Sequence, residues 1–162
     1  MSHARTKGVE QTRALGAAIA PLARPDDIIL LTGDLGAGKT AFAQGFARGL
    51  GVTDPVVSPT FTLARHYEGT ALRMNHLDVY RLDHLQEAVD LGLAELLDDD
   101  GVTLIEWGDV ILPTLPADFL EVRFAYGFDD DERLVSLRVV GKTWAARRHA
   151  LEEALVPWQS GE

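Results

Sequence analysis

Eight consecutive residues, Gly33-Asp34-Leu35-Gly36-Ala37-Gly38-Lys39-Thr40, restrict the folds open to this chain more than any other feature. They follow the pattern G-x-x-x-x-G-K-[ST]. In that pattern glycines let the backbone curl until its N–H groups converge on phosphate oxygens, and a helix starting at the lysine adds positive potential. Such a loop needs a strand before it and a helix after it. Ahead of it, Ile28-Ile29-Leu30-Leu31 lies between Pro25 and Gly33, too short for a helix and suited to a strand buried on both faces. Behind it, Phe42, Phe46 and Leu50 recur at helical spacing with Ala43 and Ala47 alongside, and Gly49 and Gly51 end the pattern. Gly33 through Ala41 therefore form the expected phosphate contacts, with Lys39 reaching the outer phosphates and Thr40 ligating Mg²⁺. Ala41 offers only its backbone N–H.

The remaining chain reads as an α/β protein. Val9, Leu15, Ala18, Ile19 and Leu22 mark an amphipathic helix over 9–22, stopped by Pro25. Residues 53–59, with two prolines, predict a loop leading to a β-rich segment at about 61–67. A paired strand is expected at 71–77, with Gly69-Thr70 as the turn. Leu85, Val89, Leu93, Leu96 and Leu97 give 82–97 a helical rhythm, closed by the acidic turn Asp98-Asp99-Asp100-Gly101. Val102-Thr103-Leu104-Ile105 predicts a second buried strand, with Glu106 at its C-terminal end. Segments 119–126 and 133–140 predict an antiparallel pair, and 144–156 a closing helix whose Lys142, Arg147 and Arg148 form a solvated face. The expected architecture is a single P-loop domain over residues 1–162, with a mixed sheet flanked by helices, parallel at its centre and antiparallel in its later strands. The site then belongs at the carboxyl ends of the central strands.

Charge and composition remove several classes of function. A net charge of −10 disfavours unaided binding to a nucleic-acid backbone. The absence of cysteine rules out disulfides and thiolate metal sites. Residues 1–20 lack the apolar core of a signal peptide, and no apolar run approaches the ~20 residues that span a bilayer. A soluble cytoplasmic protein, with no membrane partner, is the expectation. His66, His76 and His84 with Asp78 raise a zinc alternative, but their spacings match no closed tetrahedral set, so zinc is not expected. Arg65, Arg73 and Arg81 are candidates for a phosphate or tRNA contact, but scattered arginines more often form surface pairs.

Four blocks together carry a family resemblance: Gly33 to Thr40, Ser58-Pro59-Thr60-Phe61, His76-Leu77-Asp78-Val79-Tyr80-Arg81-Leu82, and Ile105-Glu106-Trp107. In order and spacing they resemble the TsaE (YjeE) family, with a looser match from about Thr12 to Leu120. The resemblance implies an ATPase that binds ATP and ADP with Mg²⁺. It also implies work with TsaB and TsaD in making the threonylcarbamoyl modification of adenosine beside the tRNA anticodon. Glu106 has the location where ATPases place a metal-holding carboxylate. The family's matching glutamate is taken as a Mg²⁺ ligand, directly or through water, and as a group positioning the attacking water. The plain alternative is a strand-end surface salt bridge. Asp78 either orients water at the nucleotide or caps the next helix. Thr60, about twenty residues beyond the loop, is placed like the γ-phosphate-sensing threonine of a switch, or else begins a strand after a proline turn. Trp107 lies beside the nucleotide, faces a partner or packs in the core.

Three functions fit these residues. The first is an accessory ATPase of a tRNA-modifying complex, with tRNA held mainly by its partners. The second is a small-molecule kinase, for which no arginine-rich lid is visible. The third is a non-hydrolysing, nucleotide-dependent interaction module. No Asn-Lys-x-Asp motif for reading guanine is present, which favours ATP.

Overall fold

The computed structural model describes residues 2–33, 38–57, 64–78, 100–106 and 118–159. Its strands are β1 (Ser2–Lys7), β2 (Ile28–Gly33), β3 (Ala64–Tyr67), β4 (Met74–Asp78), β5 (Val102–Glu106), β6 (Phe119–Tyr126) and β7 (Glu132–Val140). Its helices are α1 (Val9–Ile19), α2 (Lys39–Gly49), α3 (Lys142–Ala145) and α4 (Arg148–Leu155). The strands join in one mixed sheet, ordered β1-β7-β6-β2-β5-β4-β3. The central four, β6, β2, β5 and β4, run parallel, whereas β7 is antiparallel to β6, β1 to β7, and β3 to β4. The parallel centre and antiparallel β6–β7 pair match the expectation from sequence. The helix expected over 82–97 lies outside the described residues.

The apolar run of β2 is explained by its central place, with Ile28 to Leu31 buried on alternating faces. One face carries Ile29, Leu31, Leu104, Leu120, Val122 and Phe124 against α1 and α2. Phe42 stacks near Phe46, with centroids 6.1 Å apart, and meets Phe124 edge-on at 5.6 Å. Each such buried ring contributes about 1.5–3 kcal/mol from area removed from water.

Helices α1 and α2 touch backbone to backbone. A Cβ on Gly45 would lie 1.8 Å from the Arg13 carbonyl oxygen, and one on Gly16 would lie 2.3 Å from that of Phe42. Gly45→Ala is therefore expected to destabilise the protein by roughly 1–3 kcal/mol, because a packed helix pair must separate. In an exposed helix the same change stabilises by about 1 kcal/mol, so the sign of the shift in denaturant midpoint checks the contact.

Three parts differ from the sequence reading. β1 was not expected, because it turns only Ala4 and Thr6 inward and so has no large apolar alternation. β4 begins at Met74 instead of 71, because Ala71 N–H bonds the Leu50 carbonyl (2.9 Å) and Gly69 packs beneath α2's end. The closing helix is broken between α3 and α4, and here Arg147 corrects its assignment to a solvated face. It is 5% exposed and grips Asp27 with two bonds, of 2.6 and 2.9 Å. Its guanidinium also donates to the Leu22 carbonyl (2.8 Å) and lies 3.9 Å from the centre of the Trp144 ring. Burial of this charge is tolerated because it is paired and hydrogen-bonded. The pair ties the α3–α4 corner to the residue preceding β2.

Candidate functional site

The glycine motif starts as the last residue of β2 and ends as the first turn of α2. Gly33 has φ +119°, and a Cβ there would lie 2.1 Å from the Phe124 carbonyl oxygen. Gly38, with φ +113°, turns the chain into α2 in a left-handed conformation that L side chains rarely adopt. Asp34, Leu35, Gly36 and Ala37 lie outside the described residues. α2 has no side-chain cap and no acidic residue in its first turn, which keeps its N-terminal potential positive. Lys39 folds back so that Nζ donates to the Gly33 carbonyl at 3.1 Å, and the residue is 4% exposed. Thr40 is half-buried in that turn, and Ala41 is buried.

Strand pairing brings the acid to the same edge. Glu106 ends β5, level with Leu31 of β2 on one side and with Asp78 of β4 on the other. Gly33, two residues beyond Leu31, is where the motif begins. Glu106 is 4% exposed and meets no lysine or arginine among the described residues. Its Oε2 accepts instead from Nε2 of the fully buried His76, at 2.7 Å. The surface salt-bridge alternative is thus replaced by a buried bond. Nδ1 of His76 is buried with no hydrogen-bond partner among the described residues.

This pairing of His76 with Glu106 was not expected from sequence. The signal was a histidine two residues before a strand-end acid, but the strand it would face could not be read. Among the described residues no group of three His, Asp or Glu could hold a metal. His66 bonds Asn75 through Nδ1 at 2.6 Å, and as the register partner of Asn75 it lies on the opposite face from His76. Arg73 pairs with exposed Glu68 at 2.9 Å, and Arg65 is exposed. Arg81, His84, Trp107 and the block Ser58-Pro59-Thr60-Phe61 lie outside the described residues, as does the side chain of Asp78.

The donors present suit Mg²⁺. Among the described residues neither the Thr40 hydroxyl nor Glu106 Oε1 is taken up by a hydrogen bond. Both are hard oxygen ligands of the kind this ion takes alongside water and phosphate.

The loop toward Thr60 is tied to α2. Gln44 donates to the Val56 carbonyl at 3.0 Å and accepts from Arg13 Nε at 3.0 Å. A cavity of about 300 Å³ opens there, lined by Arg13, Gln44, Arg48, Asp54 and Val56, along the C-terminal half of α2 and away from Lys39. No helix among the described residues is long and apolar enough to cross a membrane.

Comparison with known proteins bears on the family and the fold. The family model described as threonylcarbamoyl adenosine biosynthesis protein TsaE matches residues 6–135. The tRNA threonylcarbamoyladenosine biosynthesis protein TsaE of Bacillus subtilis is 43% identical over 86% of this chain and 87% of its own. Its counterpart in Streptomyces coelicolor is 41% identical, over 82% and 93% respectively. The crystal structure of Bacillus subtilis YdiB superposes with a TM-score of 0.82 at 37% identity, covering 94% of both chains.

Proposed function

The chain belongs to the TsaE family, and from that premise we propose that it is an accessory ATPase of tRNA threonylcarbamoyladenosine biosynthesis. The observation that carries the proposal is the register that sets Glu106 level with Leu31 and so beside the start of the Gly33–Lys39 motif. A cation, a helix N-terminus and a buried carboxylate then share one edge of the sheet. In this reading Gly33, Asp34, Leu35, Gly36, Ala37, Gly38, Lys39, Thr40 and Ala41 hold the phosphates of ATP or ADP. Thr40 and Glu106 hold Mg²⁺, and Asp78 and Glu106 orient water. The bound ion would draw charge from the phosphate oxygens and fix the triphosphate's orientation. Lys39, released from the Gly33 carbonyl or sharing it, supplies a point charge to the outer phosphates.

Residues 1–162 act as one cytoplasmic domain in this proposal, and the net charge of −10 leaves tRNA to TsaB- and TsaD-type partners. Thr60 senses the γ-phosphate. The segment that leads toward it is tied at Val56 to Gln44 of α2, the helix that begins at Lys39. ATP strengthens docking only if the partner binds the ATP-ordered surface better than the ADP form, by ~1–3 kcal/mol, or about 5–150-fold, for ordinary coupling.

The purified chain is therefore expected to hydrolyse ATP slowly, and much faster when TsaB and TsaD are added. Affinity for that assembly should be higher with a non-hydrolysable ATP analogue than with ADP, and Thr60→Ala should remove the difference while leaving nucleotide binding largely intact. If neither nucleotide state nor Thr60 changes docking, and the assembly leaves turnover unaltered, an independent enzyme becomes the better reading.

A further inference from the structure

We propose that His76 is a positioning residue for Glu106: its Nε2–H holds Oε2, leaving Oε1 as the oxygen that meets Mg²⁺ or a water bound to it. The inference rests on the ATPase reading and adds a residue to its machinery. On β4, His76 is level with Leu104, so it is the diagonal same-face neighbour of Glu106 on the adjoining strand. At that distance a long side chain is needed to bridge, and the imidazole does so at 2.7 Å. A carboxylate accepts and a ring N–H donates, so the proton of this bond sits on Nε2.

Packing alone does not account for an imidazole here. His76 is 0% exposed, and its Nδ1 makes no hydrogen bond among the described residues, so the ring brings a buried polar atom that an apolar side chain of similar size would not. What the ring provides is a stiff donor rooted in a central strand. Glu106 ends its strand, and a carboxylate there has free side-chain torsions unless something fixes them. One bond to Oε2 fixes the plane of the group and divides its two oxygens between protein and metal. Groups that orient a metal ligand in this way change metal affinity by about 10–100-fold when removed.

The test compares affinity for a non-hydrolysable ATP analogue with and without Mg²⁺, by calorimetry, in the full chain. His76→Leu is expected to leave binding without Mg²⁺ within ~2-fold of the parent and to cut the gain on adding Mg²⁺ by about 10-fold. His76→Gln can place an amide N–H near the Nε2 position and is expected to restore most of that gain. A folded His76→Leu protein with the parent's Mg²⁺ gain overturns the positioning role alone, as does an equal loss with and without Mg²⁺. A parent protein that gains nothing from Mg²⁺ overturns the ATPase reading and this inference together. Nitrogen-15 spectra of the unsubstituted protein add a measurement independent of any variant's folding. The hydrogen-bonded Nε2–H resonance of His76 should shift when Mg²⁺ joins the bound analogue, and a resonance unmoved by it overturns the proposal.

Discussion

Replacing Lys39 by alanine is expected to weaken ATP binding by roughly 100-fold or more and to remove measurable turnover, because a largely buried cation is lost. Lys39 is only 4% exposed, and its Nζ lies 3.1 Å from the Gly33 carbonyl, at the junction of β2 and α2. A charge so withdrawn from water interacts with a triphosphate at lower effective dielectric than a surface lysine would. Removing one member of a buried ion pair, which Lys39 would form with a bound triphosphate, costs about 3–5 kcal/mol, and each 1.4 kcal/mol is a factor of ten. The fold should survive, since Lys39 lies in the first turn of α2 and alanine is a good helix former. Titration calorimetry on a variant with parental thermal stability measures the effect. Unchanged affinity and turnover would rule out the phosphate-cradle assignment.

Glu106→Gln should keep the fold and much of the nucleotide binding yet slow hydrolysis by ~100-fold or more, the scale of lost metal or water positioning. Glutamine has nearly the same volume, and its amide oxygen can still accept from His76 Nε2, so the buried bond seen at 2.7 Å can persist. What disappears is the second, charged oxygen left for Mg²⁺, replaced by an amide NH₂ that cannot ligate the ion. Binding should therefore suffer less than turnover, and single-turnover rates compared with analogue affinity separate the two. Hydrolysis at the parent rate by a folded variant would leave Glu106 a structural acid, bonded to His76 and nothing more.

Much of the fold was legible because its signals are local. The run Ile28 to Leu31, the glycines and the four-residue rhythm of Phe42, Phe46 and Leu50 are contiguous, and β2 and α2 fall where they predict. β5 and the β6–β7 pair were equally readable, from short apolar runs bounded by turns. The departures have non-local causes. β1 is held by its pairing with β7, more than a hundred residues away, and shows only small inward side chains. Arg147 looks like any helix-surface arginine until the break between α3 and α4 buries it against Asp27, 120 residues earlier and next to the start of β2.

The candidate site divides along the same line. The sequence alone determined that a glycine-rich loop of the phosphate-binding pattern joins a buried strand to a helix, and that an acid ends another buried strand. Both follow from patterns a few residues long, in which side-chain periodicity and glycine's backbone freedom suffice. Only the tertiary structure decided that β5 lies beside β2, that Glu106 is level with Leu31, and that His76, thirty residues earlier, holds its carboxylate. Alternation along a strand tells which face a residue takes, but not which strand it meets or in what register. Those are settled when the two sheet faces are buried together, because a slip of one residue would turn every side chain to the other face.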